Sequence, residues 1–261
     1  MRDLSPTFSS GSVPRGGARR SGRLPVPRLL APLLLALSLL FPPPAWGGAW
    51  TQAPGAGFLS AQTVADPDGP TGLRRDRYVE LGMMDGVTVG MNSNHTVEIF
   101  DQNRFRGRVE SFLRTRLWQG SQGDVISSQV EIGSGFGSPW DKADVTTRLM
   151  WGRGYVTALG PSWAEAAIGW RHQLEDGETD RALASAALGL RPAPGWLAMA
   201  GVETDLDGER TGRDWQVLRL RFTAAREIGR GDSVSLQIEA APWAEAVSDG
   251  VQIRLGLWRA F

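Results

Sequence analysis

Cysteine is absent from the chain, so neither a disulfide framework nor a thiolate metal site organises it, as suits an exported protein that does without disulfides. Histidine is scarce: His95 and His172 are the only imidazoles. Lys142 is the single lysine, and the remaining basic residues are arginine. A net excess of either charge is also missing, with 28 basic and 28 acidic residues, and nothing in the bulk charge points to nucleic acid. Beyond residue 47 no apolar run approaches the about 20 residues that a spanning helix needs. If the mature chain crosses a membrane, it does so with strands.

The balanced charge conceals a split. Residues 1–47 hold six arginines and one aspartate, which leaves 22 basic and 27 acidic residues beyond them, a net charge of −5. Arg15, Arg19, Arg20, Arg23 and Arg28 precede an apolar run over residues 29–41, broken only by Pro32 and Ser38. Pro42-Pro43-Pro44 ends the run, and the small-residue stretch Ala45-Trp46-Gly47-Gly48-Ala49 follows. Basic head, apolar middle and small-residue exit predict a secretory signal peptide over residues 1–47, cleaved after Gly47 or Ala49. At 13 residues the apolar run is short for an uncleaved anchor. Residues 48–261 then form one domain. The whole chain's 33 glycines and 11 tryptophans suit a tight-turned, membrane-facing β protein.

Period-two alternation runs through that domain. Over residues 108–118, Val109, Ser111, Leu113, Thr115 and Leu117 share one face, while Arg108, Glu110, Phe112, Arg114 and Arg116 share the other. Val145, Thr147, Leu149 and Trp151 oppose Asp144, Thr146, Arg148 and Met150. The same holds for Leu218, Leu220 and Phe222 against Arg219, Arg221 and Thr223, and for Val234, Leu236 and Ile238 against Ser235, Gln237 and Glu239. Counting weaker segments gives about twelve strands of roughly ten residues, the length of a tilted bilayer-crossing strand. A soluble β-sandwich also alternates, with its apolar rows meeting in a dry core.

The links sort by length. Residues 66–73, 93–104, 134–142, 173–180, 205–213 and 242–250 are the longer, and residues 83–86, 119–123, 158–162, 191–195 and 226–231 the shorter. Barrels of the outer membrane have short periplasmic turns and long outer loops, whereas a sandwich has no reason to alternate them. Trp118, Trp163, Trp196, Trp215, Trp243 and Trp258 lie near strand ends and are expected in interfacial girdles.

The final strand reads Val251-Gln252-Ile253-Arg254-Leu255-Gly256-Leu257-Trp258-Arg259-Ala260-Phe261. Ile253, Leu255, Leu257 and Phe261 share a face and resemble the C-terminal assembly signal of bacterial outer-membrane barrels, with Arg259 departing from its apolar pattern. The segments over residues 78–90 and 149–155 look like strand–turn–strand units of small proteobacterial porin-like proteins. This resemblance implies a Gram-negative outer-membrane location, and as partners membrane lipid and lipopolysaccharide, the barrel-assembly machinery and periplasmic chaperones. It carries over no catalytic residue.

Chemistry-bearing motifs are few. No serine stands two residues from His172, and nothing matches the Ser/His constellation of outer-membrane lipid-modifying enzymes. Asp205-Leu206-Asp207-Gly208-Glu209 has its glycine too early for a calcium loop. Gly133-Ser134-Gly135-Phe136-Gly137 precedes no helix and cradles no phosphate. We therefore expect no catalytic residues, no cofactor and no metal.

The charged face remains. Arg114, Arg116, Arg148, Arg171, Arg219, Arg221 and Arg254, with Glu110, Glu131, Glu165 and Glu239, are expected to line the lumen. So many ions inside a barrel must be wet or paired. The expected function is a passive channel for small, anionic solutes. A structural or adhesion barrel acting through its outer loops is the alternative, and a lipid-modifying enzyme the third reading.

Overall fold

The computed structural model describes residues 48–65, 72–98, 105–137, 142–175, 180–207, 216–241 and 251–261. The expected leader, most of the longer links, and Trp215 and Trp243 lie outside the described residues.

Twelve strands follow in chain order: β1 (Gly57–Ala65), β2 (Gly72–Met84), β3 (Val87–Glu98), β4 (Phe105–Gln119), β5 (Asp124–Phe136), β6 (Ala143–Thr157), β7 (Gly160–Gln173), β8 (Arg181–Leu190), β9 (Trp196–Asp207), β10 (Gln216–Gly229), β11 (Asp232–Ala240) and β12 (Val251–Ala260). Each pairs antiparallel with the next, and β1 pairs with β12 from Phe58↔Ala260 to Ala65↔Ile253, closing the barrel. Closure leaves no open edge, the condition for a sheet in hydrocarbon. The closed barrel replaces the sandwich alternative.

The alternation resolves inside out. Leu113, Ile132, Leu149, Ile168, Leu188, Phe222, Leu236 and Leu255 all face outward, Ile168 at 64% and Leu255 at 63% exposure. Such a continuous apolar exterior is too large for a water-facing monomer and suits lipid. Glu80, Thr88, Ser127, Asp144 and Thr146 are buried on the opposite face.

Several strands run farther than the sequence reading placed them. Residues 93–98 continue β3, 134–136 continue β5 and 226–229 continue β10, all expected to be links. Ladder bonds persist there without an apolar row, as in Asn94↔Arg108 and His95↔Gly107. Register shifts at Gly82/Met84, Arg116/Trp118 and Glu227/Gly229 sit beside the short turns, where a bulge re-aims the chain. The shift after Arg116 brings Trp118 to the outside, 51% exposed.

The tryptophan girdle needs correction. Trp118 and Trp196 are exposed near the short turns, and Arg226 stacks over Trp196 at 5.1 Å. Trp258 and Trp163 instead turn inward. Trp258 is buried with Phe58, Leu197 and Ala225, and Trp163, Tyr78 and Met199 pack on that cluster. The period-two rule explains the miss: Trp258 shares its face with Arg254, and Trp163 with Glu165. At the exterior rim, Arg259 meets Asp232 through two bonds, Nε to Oδ1 at 2.6 Å and Nη2 to Oδ2 at 2.7 Å. The charge that departs from the apolar C-terminal pattern is neutralised across β11 and β12.

Candidate functional site: a two-storey lumen

Residues 48–56 precede β1 and turn back into the barrel from the short-turn side. Two inward glycines make room for them. A Cβ on Gly82 would stand 2.0 Å from the Ala53 carbonyl oxygen, and one on Gly152 would stand 2.7 Å from the Trp50 ring and 2.9 Å from Ala49 Cβ. Gly55 N–H donates to the Gly82 carbonyl at 2.9 Å, and Gly82 N–H donates to the Ala56 carbonyl at 2.9 Å. Ala49, 1% exposed, packs with Met150 and Ala167, with Trp50 against them.

Polar side chains hold the segment's backbone. Ser127 Oγ donates to the Ala49 carbonyl at 2.7 Å, and Gln52 N–H donates to Thr88 Oγ1 at 2.7 Å. Arg114 Nη1 donates to the Trp50 carbonyl at 3.0 Å. The same nitrogen lies 3.2 Å from Glu80 Oε2, while Nε donates to Gln129 Oε1 at 3.0 Å. Glu80 is fully buried, and also accepts from Tyr78 Oη at 2.6 Å and from the Gln52 amide. The guanidinium also lies 5.2 Å from the Phe112 ring centre. Arg114 thus has its donors spread over an acid, an amide and a backbone carbonyl, as its planar fork allows. We call this filled half the plug layer.

Above it, toward the longer links, lies a cavity of about 680 Å³. Among the described residues, eight arginines and four carboxylates line it. They form two facing networks. On β4, β6 and β7, Arg108 pairs with Glu110 at 2.6 Å and with Asp144, and Arg171 approaches the same acids at 3.8 and 3.7 Å. On β2 and β9 to β12, Glu239 meets Arg254 at 3.0 Å, Arg221 at 3.1 Å and Arg219 at 3.9 Å. Arg254 also meets Asp76 at 2.8 Å, which Arg74 shares at 2.8 Å, and Arg221 meets Glu203 at 3.4 Å. Carboxylates are shared among arginines, so positive charge is left over. The Arg219 and Arg221 side chains remain 38% and 42% exposed.

A second cavity of about 420 Å³ continues downward, lined by Arg148, Glu131 and Glu165, and reaches Gly48 of the plug layer. The expected lumen set is therefore distributed. Arg171, Arg219, Arg221, Arg254, Glu110 and Glu239 line the upper cavity. Arg114, Arg148, Glu131 and Glu165 line the lower one. Arg116 stands apart, at the short-turn rim, with Nη2 2.6 Å from Asp85 Oδ2. Ile253, Leu255 and Leu257 face outward, and the backbone of Phe261 exchanges bonds with Gly57 at 2.8 and 3.0 Å.

His172 lies at the outer end of β7, its Nδ1 2.8 Å from Asp180 Oδ1. That hydrogen bond holds the exposed Asp180 carboxyl below the usual carboxylate range. His95 lies on β3, opposite Arg75 of β2. Among the described residues no group of three or more histidine or acidic side chains is placed to hold a metal ion.

The residues 48–56, Tyr78, Gln129 and Asp76 were not among the site residues expected from sequence. A signal for the first was present: Gly82, Gly152 and Ala167 leave space on the inward face where the segment packs.

No family model and no curated protein matches the sequence. Solved structures do. The NanC porin superposes with a TM-score of 0.58 at 8% identity, over 78% of this chain and 98% of that one. The KdgM porin gives 0.55 at 10% identity, over 78% and 99%. The COG4313 outer membrane channel from Pseudomonas putida F1 gives 0.53 at 12% identity, over 83% and 99%. At these identities the likeness is one of fold: the chain is a twelve-stranded, porin-like β-barrel.

Proposed function

We propose that the chain is an outer-membrane β-barrel that acts as a passive channel for small anionic solutes. The observation that carries this reading is the upper cavity, where among the described residues eight arginines answer to five carboxylates, four on the wall and Asp144 behind Arg108 and Arg171. Packed ion pairs built only for stability would balance. An excess of cation on a wet wall lowers the free energy of an anion there, while shared carboxylates keep the arginines extended and spaced. Charge lining a pore with low-dielectric walls also raises the local concentration of the opposite ion. A KdgM porin structure is described as a complex with disordered oligogalacturonate, a chain of sugar carboxylates. That ligand class suits a wall of guanidinium groups, whose forked donors match a carboxylate in two places.

The test is a planar-bilayer recording of the purified barrel under a potassium chloride gradient. Discrete conductance steps with a reversal potential on the chloride side are expected, and Arg219→Ala together with Arg221→Ala moves that potential toward zero. Current no different from the empty bilayer rejects the reading. The plug layer supports a second one, a closed barrel that works through its outer loops. For that reading, full-length protein shows no conductance, and shortening the link over residues 205–213 abolishes binding to cells or lipopolysaccharide while the barrel stays folded.

A further inference from the structure

The upper end of the plug segment meets the Glu165 carboxyl. A Cβ built on Gly48 would stand 1.8 Å from Glu165 Oε2 and 2.7 Å from its carboxyl carbon. The carboxylate therefore fills the space beside the Gly48 Cα. Bond geometry puts the Gly48 nitrogen within about 4.3 Å of the same oxygen. Glu165 Oε2 is shielded from solvent and has no hydrogen-bond partner. The charges that act on it are Arg114, which attracts, and Glu80, which repels. Arg114 is already bonded to Glu80, so its charge is shared between the two acids.

The rest of the segment is well bonded: the Ala49 and Trp50 carbonyls and the Gln52 N–H all have partners. A carboxylate oxygen shielded from solvent with no hydrogen-bond partner is disfavoured, and one cation beside Gly48 would relieve it. The chain supplies that cation when the peptide bond between Gly47 and Gly48 is cut. Ala45 and Gly47 place small residues three and one positions before the bond, the spacing that leader peptidases accept. Cleavage after Ala49 would also follow two small residues. It would, however, remove the 1%-exposed Ala49 from its place between Met150 and Ala167, and take away the acceptor of Ser127.

We propose that the leader is removed between Gly47 and Gly48, and that the new Gly48 α-ammonium pairs with Glu165 inside the lumen, fastening the plug. In this hydrolysis, catalysed by a peptidase of the export machinery, water adds across the bond. The hydroxyl goes to the Gly47 carbonyl carbon as a carboxylate, and the Gly48 nitrogen takes up protons to become the ammonium. The ion pair then holds the top of a segment whose lower end is held by Gly82 of β2. The proposal rests on the leader reading and not on the channel, so its failure is separate from a failure to conduct.

Lysine scarcity gives the test. Mature protein contains two amines, the α-amine and Lys142. Barrel purified from outer membranes is weighed intact, then treated with an amine-reactive ester, folded and in urea, and each amine's labelling is read by peptide mass spectrometry. The expected mass is that of a chain beginning at Gly48. In the folded state its α-amine reacts about tenfold or more slowly than in urea, and Glu165→Gln largely removes that protection while Lys142 is unchanged. A chain beginning at Trp50 or any other residue overturns the proposal, as does an α-amine labelled equally fast in both states. If E165Q yields no heat-shifted gel band, Gly48→Ala replaces it, because its methyl would displace the carboxylate. Unchanged protection in the folded variant overturns the role of Glu165.

Discussion

Arg114→Ala is the sharpest probe of the plug layer. The substitution leaves Glu80, at 0% exposure, without its cation at 3.2 Å. Removing one partner of a buried pair costs about 3–5 kcal/mol, because the other charge remains and has nothing to answer it. Glu80 keeps the donors Tyr78 Oη and Gln52 Nε2, which moderates the loss. The Trp50 carbonyl and Gln129 each lose a donor, which adds to it. We expect a net loss of about 3 kcal/mol, near the low end of that range. Pairing it with Glu80→Gln should recover part of the loss, since contacting groups couple by about 0.5–3 kcal/mol. The assay is urea unfolding of the barrel in lipid vesicles, followed by tryptophan fluorescence, with the four chains of the double-mutant cycle side by side. A loss under about 1 kcal/mol, the range of solvent-exposed pairs, or strict additivity in the cycle, would refute the claim that this pair is buried and shared with the plug.

The other predictions concern the plug, the lipid face and the rim. Deleting residues 48–55 should leave a heat-modifiable, folded barrel and raise single-channel conductance, because the strands close without that segment; an unchanged conductance would mean that the segment obstructs nothing. Gly152→Leu should act in the same direction, since Trp50 and Ala49 occupy the space its side chain needs, and faster protease cleavage near residue 50 is the readout. Leu255→Arg, at an exposed mid-strand site, should cost about 2–4 kcal/mol in vesicle unfolding. Arg259→Ala, which breaks a rim pair whose arginine is 63% exposed, should cost less than about 1 kcal/mol by the same measurement.

The barrel was legible in the sequence because each strand carries its instructions locally. Val109 to Thr115 and Val251 to Leu257 alternate without a slip, and a one-residue error would put every side chain on the wrong side. Lipid asks only that the outward row be apolar, so the row is easy to see. The inward row is harder, since its residues answer to partners far along the chain. Met150 and Ala167 interrupt the charged face for no local reason. Their partner is Ala49, about a hundred residues earlier and in a segment with no periodicity. Trp163 and Trp258 misled for a related cause: an indole near a strand end reads as interfacial, and only the spatial neighbours Phe58 and Leu197 reveal an inner cluster. The extent of β3 beyond Ser93 was hidden because polar strands outside hydrocarbon pair through their backbone, which leaves no pattern in the side chains.

The two storeys of the lumen follow from one constraint. A barrel of twelve strands is wider than its inward side chains can fill, yet narrow enough for side chains to reach across. Near the short turns the remaining space is taken by apolar groups and by the chain's own N-terminal segment, whose peptide groups need partners away from water. Arg114, Ser127 and Thr88 supply those partners and are thereby committed to the segment. Toward the longer links the described residues enclose a cavity of about 680 Å³. There the same residue types have no backbone to bind and organise one another instead, three arginines around Glu239 and two around Asp76. On the channel reading proposed above, selectivity and closure are assigned to different heights. Substitutions at Arg219 or Arg221 should change which ions pass without changing plug protection, and substitutions at Ser127 or Gly152 should do the reverse. A single variant of either pair that moves both properties together would break this division.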